Sequence, residues 1–212
     1  MPRFSKIDES NIGDHYYLES SDQCLFLYEY TAGKTYAYSQ TNNLISNLKK
    51  KPSQAIRPGY HYKRQAIIQC STDLRDALNP DWLANATLVP VPGSKAVGDP
   101  DFDDRIERIC RGLGQNVDVR RLIIQNASTQ ASHEAGDGPR RTIEELVGLY
   151  QVDETQAHPR PEVIGIVDDV LTTGTHFRAV QQVLNERFPG VICIGLFIAR
   201  CVHTSPFEDF ED

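Results

Sequence analysis

Two adjacent carboxylates and a loop of small hydroxyl residues carry the clearest chemical signal in the sequence. Asp168 and Asp169 follow the apolar run 163–167, and the loop 172–175 (Thr-Thr-Gly-Thr) comes shortly after them. Two carboxylates beside a buried strand are costly unless they bind hydroxyl groups, a metal or a cation. The backbone N–H groups of a Thr/Gly loop that leads into a helix can bind phosphate. Together these residues predict a site for a phosphorylated sugar.

The flanking segments predict the elements that position these residues. The run 163–167 predicts a buried strand that ends at the carboxylates, and 175–187 predicts a helix. In open α/β sheets, ligands bind beyond the carboxyl ends of the strands. We therefore expect the acidic pair and the loop to meet at that edge. His176 begins the helix and its role is open; the alternative to a functional role is a histidine that is simply exposed at the start of the helix.

The rest of the chain alternates between strand and helix patterns from about residue 61 onward. This alternation predicts a parallel sheet with helices on both faces. Before it, two aromatic runs on either side of Gly33 predict a β-hairpin. Thr142 and Glu145 predict a capping box at the start of a helix. The further predicted helices are 41–51, 62–78, 102–115 and 142–150, and the further predicted strands are 24–30, 34–40, 88–92, 119–125 and 191–199.

Length and pattern predict three regions in the 212 residues. About 150 residues per domain is typical, so one domain with an appended part is expected. We predict a small α+β module of aromatic-rich hairpin and helix over 1–60, a core over 61–200 and an acidic tail over 201–212.

Composition excludes several classes of protein. The longest apolar run, 191–199, is far shorter than the roughly 20 residues of a spanning helix, so no membrane protein is expected. The N-terminus lacks the apolar middle of a signal peptide. The net charge of −7 argues against general nucleic-acid binding. The five cysteines have neither disulfide nor zinc-site spacing, so we expect reduced thiols in a cytoplasmic protein.

The segment VIGIVDDVLTTGTH (163–176) resembles the phosphoribosyl pyrophosphate signature of the type I phosphoribosyltransferases. The resemblance implies an α/β fold with that family's parallel sheet flanked by helices. It implies that the two carboxylates bind the ribose hydroxyls, directly or through Mg²⁺ and water, and that the loop holds the 5′-phosphate. The ligand-binding residues implied here are Asp168, Asp169, Val170, Leu171, Thr172, Thr173, Gly174 and Thr175.

The segment 88–105 is similar to the family's first core strand and the pyrophosphate-binding loop after it. Gly93 and Ser94 would let the backbone approach the pyrophosphate, and Lys95 would meet it as a point charge. Taken alone, this short motif is weak, and Lys95 would read as a surface lysine. Its place before a predicted helix and upstream of the acidic pair favours the functional interpretation.

The segment 126–142 is small, polar and without a period, which is typical of a long loop. The resemblance implies a flexible loop here that closes over the site and excludes water. An arginine brought in by closure would neutralise the departing pyrophosphate, and both Arg140 and Arg141 are candidates. Other polar candidates are Thr129, Gln130, Ser132 and His133. An ordinary solvated loop is the alternative.

The implied activity is Mg²⁺-dependent transfer of a phosphoribosyl group from phosphoribosyl pyrophosphate to a nitrogenous base. The pattern is also similar to the competence-protein (ComF-like) phosphoribosyltransferases, although the N-terminal cysteine zinc module of that subgroup is missing. The expected partners are a small-molecule base or nucleotide and a second copy of the chain in a homodimer. A variable hood selects the acceptor in this family, and either the N-terminal third or 200–212 would serve.

Two alternatives compete with this interpretation. A protein of the same fold could bind phosphoribosyl pyrophosphate or a nucleotide as a signal without turnover, since the motif indicates binding and not catalysis. A P-loop NTPase is disfavoured. The only Gly-Lys-Thr run is Gly33–Thr35, and Tyr28 stands where that loop requires a glycine.

Overall fold

A computed structural model describes residues 2–128 and 141–203. Its strands are β1 (Ser5–Lys6), β2 (Gln23–Thr31), β3 (Ala86–Pro90), β4 (Asp118–Val119), β5 (Ile123–Gln125), β6 (Tyr150–Val152), β7 (Val163–Leu171) and β8 (Ile192–Val202). Its α-helices are α1 (Gln40–Leu48), α2 (His61–Ala77), α3 (Pro80–Asn85), α4 (Arg105–Arg111), α5 (Ile143–Leu149) and α6 (Thr175–Arg187). Within these ranges, no helix is both long and apolar enough to span a bilayer.

Six of the described strands form one sheet in the order β1-β2-β8-β7-β3-β4. Neighbouring strands are parallel except β1 and β2, which are antiparallel. Strands β5 and β6 form a separate antiparallel pair. The prediction of an α/β protein with a mostly parallel sheet flanked by helices is therefore confirmed. The strands β7 and β8, which are apolar along most of their length, lie at the centre of the sheet, as expected for strands covered on both faces.

Two apolar cores lie on the two faces of the sheet. In one, Phe177 of α6 and Leu146 of α5 pack with Ile164 and Ile166 of β7. In the other, helices α1, α2 and α4 pack against the opposite face, which includes Val167. Side chains alternate between the faces of a strand, so β7 contributes to both cores. This alternation determines where the two carboxylates lie.

The helix predictions of the core are largely confirmed. The predicted bounds 175–187 match α6, and α2 and α1 follow the predicted segments closely. The capping box is present at α5, where the Thr142 side chain accepts from the Glu145 N–H and the Glu145 carboxylate accepts from the Thr142 N–H.

Two strand predictions are wrong. The predicted hairpin does not form, because only its first run becomes a strand, β2, whose partners are β8 and β1. The second run becomes a loop that ends at Ser39, the N-cap of α1. The Asn42 side chain binds both the N–H and the carbonyl of Thr31, which turns the chain away after β2. The predicted strand 119–125 is instead two short strands, β4 and β5, in different sheets.

The N-terminal segment 1–60 contributes β1 and β2 to the large sheet. Strand β2 pairs with β8 over most of its length, from Gln23 opposite Ile194 to Thr31 opposite Val202. The boundaries between 1–60, 61–200 and 201–212 stay a prediction, but the first segment shares its main pairing surface with the core. Most of the predicted acidic tail lies outside the described residues.

Candidate functional site

A cleft lies at the carboxyl ends of β7 and β3 and encloses about 1770 Å³, part of it open to solvent. The loop after β3, the end of β7 with the loop that follows it, and Arg141 shortly before α5 line it, together with residues of other segments such as Tyr30, Lys49 and Arg105. The predicted site residues that line the cleft are Gly93, Ser94, Lys95, Arg141, Asp168, Asp169, Val170, Thr172, Thr173 and Thr175. Leu171 and Gly174 are buried beside it and do not line it. Arg140 and the candidates 129–133 lie outside the described residues.

The two carboxylates lie within strand β7 and not after its end. The strand was predicted to stop at Val167, but it continues to Leu171 along β8. Its pairing with β3 runs only as far as Val167, opposite Pro90. Since successive side chains of a strand point to opposite faces, Asp168 and Asp169 point apart. The two carboxylates therefore have different surroundings, although both line the cleft, and their joint action on one ligand stays a prediction.

Asp169 is held by two cations. Arg105 Nε and Nη2 lie 2.9 and 2.7 Å from its Oδ2, and Lys49 Nζ lies 3.3 Å from its Oδ1. The residue is 4% exposed. Burial alone would raise the pKa of Asp169, but Lys49 and Arg105 outweigh burial and hold that pKa well below its usual range. This carboxylate is ionised and already paired, so it does not fit the predicted role of metal ligand.

The ion pair continues into a buried network that joins four segments of the chain. Arg105 Nη1 donates to Asp103 Oδ2 at 2.9 Å, and Lys63 Nζ donates to the same oxygen at 2.7 Å. Lys63 also donates to the carbonyls of Leu48 and Lys50 at 2.6 and 2.8 Å. The network fixes the end of α1, the first turn of α2, the start of α4 and β7 relative to one another. Nothing in the sequence pointed to the two lysines, because their partners lie far along the chain.

Asp168 is the carboxylate that fits a ligand. Its Oδ1 accepts the neighbouring Asp169 N–H at 2.8 Å, and within the described residues no cation lies at ion-pair distance from it. Burial, and next the negative charge of Asp169, raise the pKa of Asp168 above its usual range. A half-buried carboxylate in a cleft without a cationic partner is poised to accept hydroxyl groups or to face a metal ion.

The loop 172–175 forms the turn that leads from β7 into α6. The hydroxyl oxygens of Thr173 and Thr175 lie 2.8 Å apart. Gly174 has φ +91°, a left-handed conformation that favours glycine. A Cβ on Gly174 would also lie 2.9 Å from Leu18 Cδ2. Gly174 is therefore required by backbone conformation and by packing behind the loop, and not by close approach to a ligand.

The N-terminal segment holds this loop from behind. His15 Nδ1 makes a short hydrogen bond to the carbonyl of Thr172, and the Tyr17 N–H donates to the carbonyl of Thr173 at 3.0 Å. His15 is fully buried, and its Nε2 has no partner within the described residues. Burial lowers the pKa of His15, so the ring is neutral at neutral pH. The sequence carried no signal for this contact, because 157 residues separate its two sides.

The loop 93–95 is tied down at the opposite side of the cleft. Gln125 Nε2 donates to the Ser94 carbonyl at 2.9 Å, and the Ala96 N–H donates to Ser128 Oγ at 3.1 Å. Lys95 lines the cleft beside these contacts. The strand β5 and the residues that follow it therefore position the lysine-bearing loop opposite the threonine loop.

His176, whose role is open in the sequence, lies at the cleft. It is half-buried and lines the cleft, and its Nδ1 lies 2.8 Å from the Tyr150 hydroxyl oxygen, at hydrogen-bonding distance. The reason is that β6 and α5 pack against α6 and bring Tyr150 next to the first turn of that helix.

The residues fit Mg²⁺ only in part. Within the described ranges, no group of three His, Cys, Asp or Glu side chains is arranged to hold a metal. Mg²⁺ commonly uses one or two carboxylates and takes its other ligands from water and substrate phosphates. Asp168 fits such a role, directly or through water, whereas Asp169 is occupied by cations.

Comparison with models of known protein families gives no match, and a search of curated proteins finds no similar sequence.

Proposed function

We propose that the chain binds phosphoribosyl pyrophosphate in this cleft and transfers its phosphoribosyl group to a nitrogenous base, releasing pyrophosphate. One observation carries the proposal. Asp168, the loop 172–175 and the loop 93–95 come from distant parts of the chain and line one cleft at the carboxyl edge of a parallel sheet. The finer fold assignment, a type I phosphoribosyltransferase, is part of the same proposal.

Each part of the ligand has a matching group in the cleft. The N–H groups of the loop 172–175 and the start of α6 suit the 5′-phosphate. Asp168 suits the ribose hydroxyls, and Mg²⁺ beside it would supply positive charge to the pyrophosphate. Lys95 and Arg141, which line the cleft, suit the charge that develops on the leaving pyrophosphate.

In the proposed reaction a nitrogen of the base attacks the anomeric carbon of the ribose. A carbon–nitrogen bond forms, the carbon–oxygen bond to pyrophosphate breaks, and the base nitrogen loses its proton. The protein contributes mainly position and electrostatic stabilisation. The end of β2 and Cys201 of β8 also line the cleft, with Tyr30 as an aromatic wall against which a flat base would stack.

A second candidate is a protein that binds phosphoribosyl pyrophosphate or a nucleotide as a signal without turnover. The observation that favours it is the pairing of Asp169 with Arg105 and Lys49, which leaves one carboxylate for the ribose and the metal. In that case the cleft would bind the ligand without catalysing a reaction.

A screen of free purine and pyrimidine bases for pyrophosphate release, with Mg²⁺ and phosphoribosyl pyrophosphate, tests the proposal. We expect release with one class of base and none with the Asp168→Asn variant. Tight binding of phosphoribosyl pyrophosphate with no release for any base would favour the signalling role. Absence of binding would contradict both.

A further inference from the structure

His176 is a ligand-facing side chain that the proposed function leaves unused. It is the second residue of α6, and its ring lines the same cleft as Thr173 and Thr175. In a neutral histidine, one ring nitrogen donates a hydrogen bond and the other accepts one. Which nitrogen carries the proton depends on the partners of both.

The Tyr150 hydroxyl determines the proton on the ring. It lies 2.8 Å from His176 Nδ1, and Tyr150 is only 5% exposed. A buried hydroxyl needs an acceptor for its one proton, and within the described residues the recorded partner is this nitrogen. Tyr150 therefore donates and Nδ1 accepts. A neutral imidazole whose Nδ1 accepts carries its proton on Nε2.

The surroundings keep the His176 ring and the Tyr150 hydroxyl neutral. Burial lowers the pKa of His176 to about 4; Asp169 acts in the opposite direction, while Lys49 lowers that pKa further. Burial, and next the charge of Asp168, raise the pKa of Tyr150, so its hydroxyl stays protonated. Both side chains are therefore uncharged hydrogen-bonding groups at neutral pH.

Nε2 is open to the cleft. In the ranges 2–128 and 141–203, the buried side-chain nitrogen and oxygen atoms without a partner are His15 Nε2 and Asp73 Oδ2. His176 Nε2 is not one of them and makes no hydrogen bond within those ranges, so the atom is not fully buried. Because the ring lines the cleft, the Nε2–H is available to a molecule that binds there.

We propose that His176 contacts the ligand, donating its Nε2–H as a neutral imidazole to the phosphoryl group bound at the loop 172–175, and that Tyr150 is the positioning residue that sets this tautomer. The inference rests on the proposed function, because it assigns a donor within the same site. A neutral donor adds a directed hydrogen bond without adding charge beside Lys49 and Arg105. Its strength therefore does not change as the solution passes the ordinary histidine pKa.

Ribose 5-phosphate, which carries the phosphoryl group without the pyrophosphate, is the probe. We expect calorimetry to give binding to the wild type and about 10- to 100-fold weaker binding to His176→Ala, as for loss of a hydrogen bond to a charged group. Tyr150→Phe leaves the ring free to change tautomer and should weaken binding by about 3- to 10-fold. The exposed pair on α2 supplies matched controls, His61→Ala and Tyr62→Phe, which should bind like the wild type.

Two further readouts separate this role from a structural one. Nitrogen NMR of the wild type should show the Nε2-protonated tautomer and a shift of that signal on addition of ribose 5-phosphate. The ratio of wild-type to His176→Ala affinity should stay constant between about pH 5.5 and 8. An Nδ1-protonated ring, or a ratio that falls about tenfold per pH unit above pH 6.5, would overturn the proposal.

The outcomes also separate this inference from the proposed function. If the wild type binds neither ribose 5-phosphate nor phosphoribosyl pyrophosphate, the proposed function fails and this inference with it. If the wild type binds and His176→Ala binds equally well, only the assignment to His176 fails.

Discussion

Arg105 donates two hydrogen bonds to the carboxylate of Asp169, from Nε and Nη2 at 2.9 and 2.7 Å to the same oxygen, Oδ2. The two acidic residues that look equivalent in the sequence therefore have different tasks. Asp169 joins β7 to α4 and to Lys49 at the end of α1, whereas no cation among the described residues lies at ion-pair distance from Asp168. The predictions below follow from this division.

Removing Arg105 should lower the unfolding free energy of the protein more than removing the charge of Asp168 does. Arg105→Met leaves Asp169 without its main partner, and breaking a buried ion pair costs about 3–5 kcal/mol of unfolding free energy. Asp168→Asn should leave that free energy unchanged or raise it, because a half-buried negative charge beside Asp169 is unfavourable. Urea unfolding of both variants checks this, and equal losses would contradict the division of tasks.

His15 should affect ligand binding through its hydrogen bond to the loop 172–175. His15→Leu leaves the Thr172 carbonyl without its donor, so we expect a loss of about 1–3 kcal/mol in stability and about tenfold weaker binding of phosphoribosyl pyrophosphate. His15→Asn places an amide donor near Nδ1 and should restore most of both. Exposed Tyr16 offers a control, Tyr16→Phe. An unchanged affinity in His15→Leu would show that the contact does not position the loop.

His15 and His176 should lower stability as the solution becomes more acidic than the ordinary histidine pKa of 6.5, whereas the raised pKa of Asp168 acts in the opposite direction. Burial lowers the pKa of both His15 and His176 in the folded protein. Below that pH the unfolded chain therefore binds more protons at these two residues, and each histidine removes up to about 1.4 kcal/mol per pH unit. Urea unfolding between about pH 7.5 and 5 measures this slope. His15→Asn should have a shallower slope than the wild type; identical slopes would contradict the assignment.

Mg²⁺ should bind with the ligand and not before it. A single suitable carboxylate, Asp168, makes a weak site, so Mg²⁺ alone at about 1 mM should give no saturable heat. Chelation of Mg²⁺ should weaken binding of phosphoribosyl pyrophosphate by about tenfold or more. In Asp168→Asn that dependence should shrink. Stoichiometric binding of Mg²⁺ to the free protein would contradict this account.

The sequence predicts the elements that follow from local patterns. The capping box at Thr142 and the bounds of α6 depend on neighbouring residues and are confirmed. The hairpin prediction fails because β2 finds its partner in β8, far along the chain, and local aromatic alternation cannot reveal that choice.

In the candidate site, too, the sequence does not predict the contacts between residues far apart in the chain. The predicted loops do meet in one cleft, because parallel strands bring their carboxyl ends to one edge. The partners of Asp169 and of Thr172 are long-range contacts, so the sequence did not predict Lys49, Arg105 or His15.

The most direct test of the central claim is calorimetric titration of phosphoribosyl pyrophosphate with Mg²⁺ into the wild type and Asp168→Asn. Asp76→Asn, which alters an exposed carboxylate on α2, is the control. We expect measurable binding to the wild type and the control, and a loss of affinity of at least about tenfold in Asp168→Asn with its unfolding free energy preserved. Equal affinity of Asp168→Asn and the wild type would contradict the claim that this cleft binds the phosphorylated sugar.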